Sequence, residues 1–167
     1  MRGTLILNRH SRLKKHEHED ILTPKGNTTM KFTKLIFDET NWPDVIGQKI
    51  TINFDKSEIE MFHSLETHSC RITEEECSSF KERLDACHLE DWSEEYQPPA
   101  GIAVLDGSSW YLKLYNGKRK VKDIYGTNGF PPKKQWKAFT SILNDAGAIA
   151  IERGKNTPVE NDRRKLF

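Results

Sequence analysis

Between residues 48 and 54, apolar Ile50, Ile52 and Phe54 alternate with Lys49, Thr51 and Asn53, the period of a half-buried strand. The same alternation returns at Trp110, Leu112 and Leu114, interleaved with Tyr111, Lys113 and Tyr115. Asn116-Gly117 follows at once, and this pair favours a type I′ hairpin because both residues tolerate positive φ. With Asn116 and Gly117 as a two-residue loop, Tyr115 is expected to face Lys118, Leu114 to face Arg119, Leu112 to face Val121 and Trp110 to face Asp123. One face of this ribbon then carries Trp110, Leu112, Leu114 and Val121 towards the core. Asp123 falls near Trp110, where it would accept the indole N–H that a buried tryptophan must satisfy. The other face carries Tyr111, Lys113, Tyr115, Lys118, Lys120 and Lys122, a cationic surface with two aromatic rings.

In two places the period lengthens to that of a helix. Residues 73–89 open with Thr73 and Glu76 at capping-box spacing and carry Cys77, Phe80, Leu84 and Cys87 on one stripe, with Glu75, Lys81, Glu82 and Asp85 towards water. Glu74, Glu75 and Glu76 suit the positive end of this helix dipole and need no catalytic explanation. Residues 132–146 carry Trp136, Phe139, Ile142, Leu143 and Ala146 on a second stripe. Pro131 and Pro132 set its entry, Gly126 and Gly129 before it permit positive φ, and Gly147 is placed to end it.

Further strands are expected at residues 31–37, 57–62, 69–72 and 102–105, with a Trp42-Pro43 turn and a break at residues 97–101. Residues 148–151 read as a last strand or a final helical turn. The fold class is therefore α+β, a small, mainly antiparallel sheet with two principal helices forming a single layer on one sheet face.

The pattern Asp106-Gly107, Trp110, Leu112, then Gly126, Asn128, Pro131 and a helix with Trp136 and Phe139 resembles one that recurs in small uncharacterised bacterial proteins. The resemblance is confined to residues 106–139 and its motif positions are mostly structural. It implies a sheet-and-helix unit and carries no activity or cofactor.

Residues 1–29 are polar and basic, hold His10, His16 and His18, and cannot bury enough apolar surface to offset their ordering entropy. They read as a disordered segment or an upstream extension. Lys25-Gly26 must be encoded by a purine-rich run resembling a ribosome-binding site, so Met30 is a candidate natural start. Residues 30–152 read as one α+β domain, and residues 153–167 as a flexible basic tail.

The net charge of +1 conceals an asymmetry: residues 55–96 sum to −9, residues 97–167 to +7 and residues 1–54 to +3. A basic contact surface built by the second half is one consequence; mutual neutralisation within the fold is the other. No apolar run approaches the roughly 18 to 20 residues that span a bilayer, and no secretory cleavage pattern is present, which places the chain in the cytoplasm as an expectation. Cys70, Cys77 and Cys87 are odd in number and lack C-x-x-C spacing, so they read as reduced, partly buried thiols.

Candidate chemistry is sparse. His63, His68 and Cys70 form the one dense set of metal donors, but a tetrahedral site needs a fourth donor or a water and the spacing matches no known motif, so no metal or other cofactor is expected. No nucleophile elbow or phosphate-cradling glycine run occurs. A small hydrolase of nuclease type would have to draw on His63, His68, Asp106 and Lys113. A nucleic-acid-binding protein would use Tyr111, Lys113, Tyr115, Lys118, Lys120 and Lys122 to stack bases and neutralise phosphates. The leading expectation is a non-enzymatic protein-binding module of a bacterial or phage cytoplasm, of immunity, inhibitor or accessory type, using the same six residues against an acidic protein surface.

Overall fold

The computed structural model describes residues 30–41, 47–101 and 107–154. Among these, seven strands form one sheet in the order β4-β3-β2-β1-β6-β7-β5. The strands are β1 (Lys34–Asn41), β2 (Gln48–Asn53), β3 (Glu58–His63), β4 (Glu66–Arg71), β5 (Glu95–Tyr96), β6 (Ser108–Asn116) and β7 (Arg119–Thr127). All pairings are antiparallel except the short β5, which lies parallel to the far side of β7. Helix α1 (Glu74–Asp85) follows the β1–β4 meander, and helix α2 (Lys133–Gly154) closes the described chain. The architecture is α+β, with both helices on one face of the sheet.

The alternation read from the sequence decides that face. Leu35 and Phe37 of β1, Ile50 and Ile52 of β2, Ile59 and Met61 of β3, and Trp110, Leu112 and Leu114 of β6 all point to the helices and are buried. Phe80 and Leu84 of α1 and Phe139, Ile142, Leu143 and Ala146 of α2 complete one contiguous core. Each large side chain so buried contributes roughly 1.5 to 3 kcal/mol. Aromatic rings fill the end under β1 and β6: Trp136 lies 4.8 Å from Trp110 and 6.1 Å from Phe37, centroid to centroid, and Trp92 lies 5.2 Å from Phe139.

Helix α1 begins as expected. The Thr73 hydroxyl accepts from the Glu76 N–H at 3.2 Å, and the Glu76 carboxylate accepts from the Thr73 N–H at 2.9 Å. The helix stops at Asp85, short of residue 89; the chain then turns through His88 at φ 50° into a 3-10 turn, Leu89–Asp91. Two ion pairs hold the helices side by side and antiparallel: Arg153 grips Glu76 at 2.6 Å, and Arg83 meets Asp145 at 2.6 Å.

Gly147 does not end α2. The helix runs on to Gly154, and Gly147 sits buried inside it, where a Cβ would lie 2.7 Å from the Met61 sulfur. Ala146, Gly147, Ala150 and Gly154 make a small-residue edge that lets the second half of the helix lie close on β3 and β4. Residues 148–151 are accordingly helical.

The β6–β7 ribbon differs from its expected register. The ladder pairs Asn116 with Arg119, so Gly117 and Lys118 form the two-residue loop, with positive φ at Gly117 alone. That is the pattern of a II′ turn, in which glycine takes the first central position. A bulge then follows: Tyr115 pairs with Lys120 and Leu114 with Lys122, leaving Val121 as the extra residue. Beyond it Leu112 faces Ile124, and Trp110 faces Gly126 rather than Asp123. The Trp110 N–H therefore goes to the Gly129 carbonyl at 2.9 Å. Gly126 and Gly129 are required for space, not for positive φ, since a Cβ on either would collide with Trp110 or with the Gln97 backbone; the positive φ of this loop belongs to Asn128.

The Trp42-Pro43 turn, the strand expected at residues 102–105, Asp106, residues 1–29 and the tail beyond Gly154 lie outside the described residues. Among the described residues no helix is long and apolar enough to cross a membrane.

Candidate nucleic-acid and protein interface on the open sheet face

The side chains that alternate away from the core form the second face of the sheet, and no described element covers it. The ladder arranges them in rows that cross the strands. One row runs Glu58, Asn53, Lys34, Tyr115 and Lys120; the next Glu60, Thr51, Ile36, Lys113 and Asp123; the third Phe62, Lys49, Asp38, Tyr111 and Tyr125. Tyr111 is 48% exposed, Phe62 and Tyr125 each 37%, and half-buried Ile36 sits at the centre.

Around Ile36 the face dips into an open hollow of about 350 Å³, lined also by Asp38, Lys49, Tyr111, Lys113 and Tyr115. Cross-strand neighbours pre-order its rings. Tyr111 and Tyr125 stack with centroids 6.3 Å apart and planes at 27°. The Lys34 ammonium sits 4.5 Å above the Tyr115 ring and that of Lys113 6.0 Å from Tyr111, within the range of cation–π attraction. The Tyr125 hydroxyl donates to the Glu95 carboxylate, which pushes the phenol pKa up and, with a bond from Gln97, holds the carboxyl of Glu95 down. Lys120 pairs with Asp123, and that hydrogen bond raises the pKa of the ammonium.

Charges of both signs are interspersed on this face. Lys34, Lys113 and Lys120 stand on the β1, β6 and β7 side with Asp38 and Asp123 among them, and Lys118 lies in the turn beyond; Glu58 and Glu60 stand on β3 between Lys49 of β2 and Arg71 of β4, beside a smaller hollow of about 170 Å³ that includes Thr51, Asn53 and Lys56.

Of the six residues singled out from the sequence, Tyr111, Lys113, Tyr115 and Lys120 share this face and Lys118 lies at its edge. Lys122 does not. The bulge at Val121 turns it to the helix side opposite Leu114, where its ammonium donates at 2.7 Å to the carbonyls of both Glu90 and Trp92. Sequence reasoning missed Ile36, Lys34, Lys49 and Tyr125 as neighbours of the patch. Lys49 and Lys34 alternate with core residues in their own strands; which strand lies beside β6 is a matter of topology that alternation does not reveal.

The other candidate residues are not brought together. His63, His68 and Cys70 point to the helix side at the β3–β4 edge of the sheet, whereas Lys113 points to the opposite face. His68 packs against Gly154 and lies 3.4 Å from Glu66, and the Cys70 thiol lies 3.9 Å from the Ile149 carbonyl, with burial pushing its pKa up. Among the described residues no three His, Cys, Asp or Glu side chains converge as a metal site would require. The geometry thus defines an α+β protein in which, among the described residues, helices seal one sheet face and nothing covers the other. No protein-family model matches the chain, and no curated protein matches it either.

Proposed function

We propose that this chain is a non-enzymatic protein-binding module of a bacterial or phage cytoplasm, of immunity, inhibitor or accessory type, that docks its partner on the open face of the sheet. The observation that carries this reading is a single helix layer: one sheet face is sealed, while the other presents Tyr111, Tyr115 and Tyr125 among Lys34, Lys113 and Lys120. Aromatic rings held by cross-strand packing give contact area at little entropic cost, and the lysines steer an acidic surface towards them. Affinity capture from a bacterial lysate, comparing wild type with the triple variant Lys113→Glu, Lys118→Glu and Lys120→Glu, tests it. Loss of partners supports the open face as the contact; an unchanged set of partners removes it.

The stacked Tyr111–Tyr125 pair beside Lys113 favours a second reading, in which a single-stranded nucleic acid lays its bases on the rings. Asp38, Asp123, Glu58 and Glu60 on the same face oppose it. Titration with single-stranded DNA and RNA at low salt decides, since phosphate contacts strengthen as salt falls.

A further inference from the structure

We infer that the open face closes on a second copy of this chain, about a two-fold axis that runs along the strands between β1 and β2. The inference rests on the open face being the contact surface and names one partner for it.

The face is self-complementary under that operation. A two-fold axis parallel to the strands and lying between two facing sheets keeps each row in register and exchanges its two sides. Every residue on the β2 and β3 side then meets the residue equally far out on the β1 and β6 side of the other copy. In the central row Thr51 meets Ile36 and Glu60 meets Lys113. In the row beside it Lys49 meets Asp38 and Phe62 meets Tyr111. Opposite charges and aromatic rings thus face each other, and each pairing occurs twice, as an isologous contact requires.

The apolar positions sit where such an interface needs them. Ile36 and Thr51 flank the axis, while Phe62 and Tyr111, both exposed, lie one strand further out. A like-charge meeting, Arg71 over Lys120, falls at the margin, where Glu58 opposes Arg71 in register and Asp123 neutralises Lys120. Facing sheets pack at about 30°, which moves the margins past one another and keeps the rows near the axis together. Six strand spacings of about 4.8 Å by about 20 Å of strand give a plane of roughly 600 Å² per copy, somewhat below the standard of about 800 Å². The association is accordingly of the reversible, concentration-dependent kind.

Sedimentation velocity over a concentration series tests the inference on wild type, Lys113→Glu, Glu60→Lys and the double reversal. The expected result is a reversible wild-type dimer. Each single reversal acts at two symmetric contacts and weakens it by about tenfold or more, and the double reversal restores it. Thermal melts confirm that each variant is folded. As an independent measurement, a photoreactive benzoylphenylalanine at position 62 captures Tyr111 of the other copy, since Tyr111 of its own copy is three strand spacings, about 14 Å, away.

A wild type that stays monomeric across the series overturns the inference, as does a double reversal that fails to restore association. So does a position-62 probe that captures only another protein or the chain's own terminal segment. If the chain is monomeric yet the triple lysine variant loses its captured partners, the binding module stands and the dimer alone falls.

Discussion

Gly126 stands directly across the β6–β7 ladder from Trp110, so close that a Cβ on the glycine would collide with the indole ring. The ring cannot retreat: it is fully buried, wedged between Trp136 and Tyr96, and its N–H is tied to the Gly129 carbonyl. Gly126→Ala should therefore destabilise the fold by roughly 3 kcal/mol, the upper range of overpacking in a filled core. A lowered urea midpoint with altered tryptophan fluorescence is the expected readout.

The same substitution at Gly147 should be nearly silent. A Cβ there meets the Met61 thioether at 2.7 Å, the flexible end of a side chain, and alanine gains helix propensity of about 1 kcal/mol over glycine. Gly147→Ala is expected within about 1 kcal/mol of wild type, whereas Gly147→Leu has no room beside Ile50 and should cost roughly 2 to 3 kcal/mol. Thermal melts of the two variants in parallel provide the comparison.

Stability should fall with acid through Glu76. Hydrogen bonds from the Arg153 guanidinium, and then from the Thr73 N–H, hold its carboxyl below the ordinary value of 4.5. A depressed folded-state pKa means that the unfolded chain takes up this proton first. The contribution is complete above the ordinary value and is lost as pH drops through the lowered one. Glu76→Gln keeps an acceptor for the cap but not the charge, and should cost about 1 kcal/mol at neutral pH. Its denaturation midpoint should converge on that of wild type as the pH falls through the lowered value; parallel midpoints throughout an acid titration would show that the ion pair contributes nothing.

Lys122 and Lys113 should separate cleanly. Removing the Lys122 ammonium strands the carbonyls of Glu90 and Trp92, so Lys122→Met is expected to cost roughly 1 to 3 kcal/mol. Lys113→Met leaves no buried group unpaired and should stay within about 0.5 kcal/mol. Equal stabilities for the two variants would refute the assignment of Lys122 to the helix side.

The Cys87 thiol is buried, and burial pushes its pKa up. It should resist alkylation in the native protein at mildly alkaline pH by at least about 100-fold relative to the unfolded chain. Mass spectrometry of iodoacetamide-treated protein, with and without urea, measures this.

Local rules were legible along the chain. The Thr73–Glu76 spacing marked the start of α1, alternation marked the buried faces of β2 and β6, and the Trp136 stripe marked the buried side of α2. What escaped were features that depend on a neighbour. Val121 and Ile124 are both apolar and three residues apart, which no regular strand can bury on one face; that spacing was the available sign of the bulge, and it carries Lys122 and Asp123 to the faces opposite those expected. Gly147 resembled a helix end because glycine is common there, whereas the close packing of α2 on β3 and β4 carries the helix past it. Two-residue β5 left no periodicity to detect. The open face was half visible, since the partner of β6 is β1, far away in the chain.

That remoteness shapes how the molecule assembles. β1 is the edge of one unit that closes from nearby residues, the β1–β4 meander, and within the sheet the Lys34–Tyr115 to Asn41–Ser108 seam joins it to another, the β6–β7 ribbon. Closing so long a loop must precede the reward of the contacts it makes, so the folding barrier is expected at this seam. Truncating Leu35 or Leu114 should slow refolding, and truncations that only speed unfolding would place the barrier elsewhere.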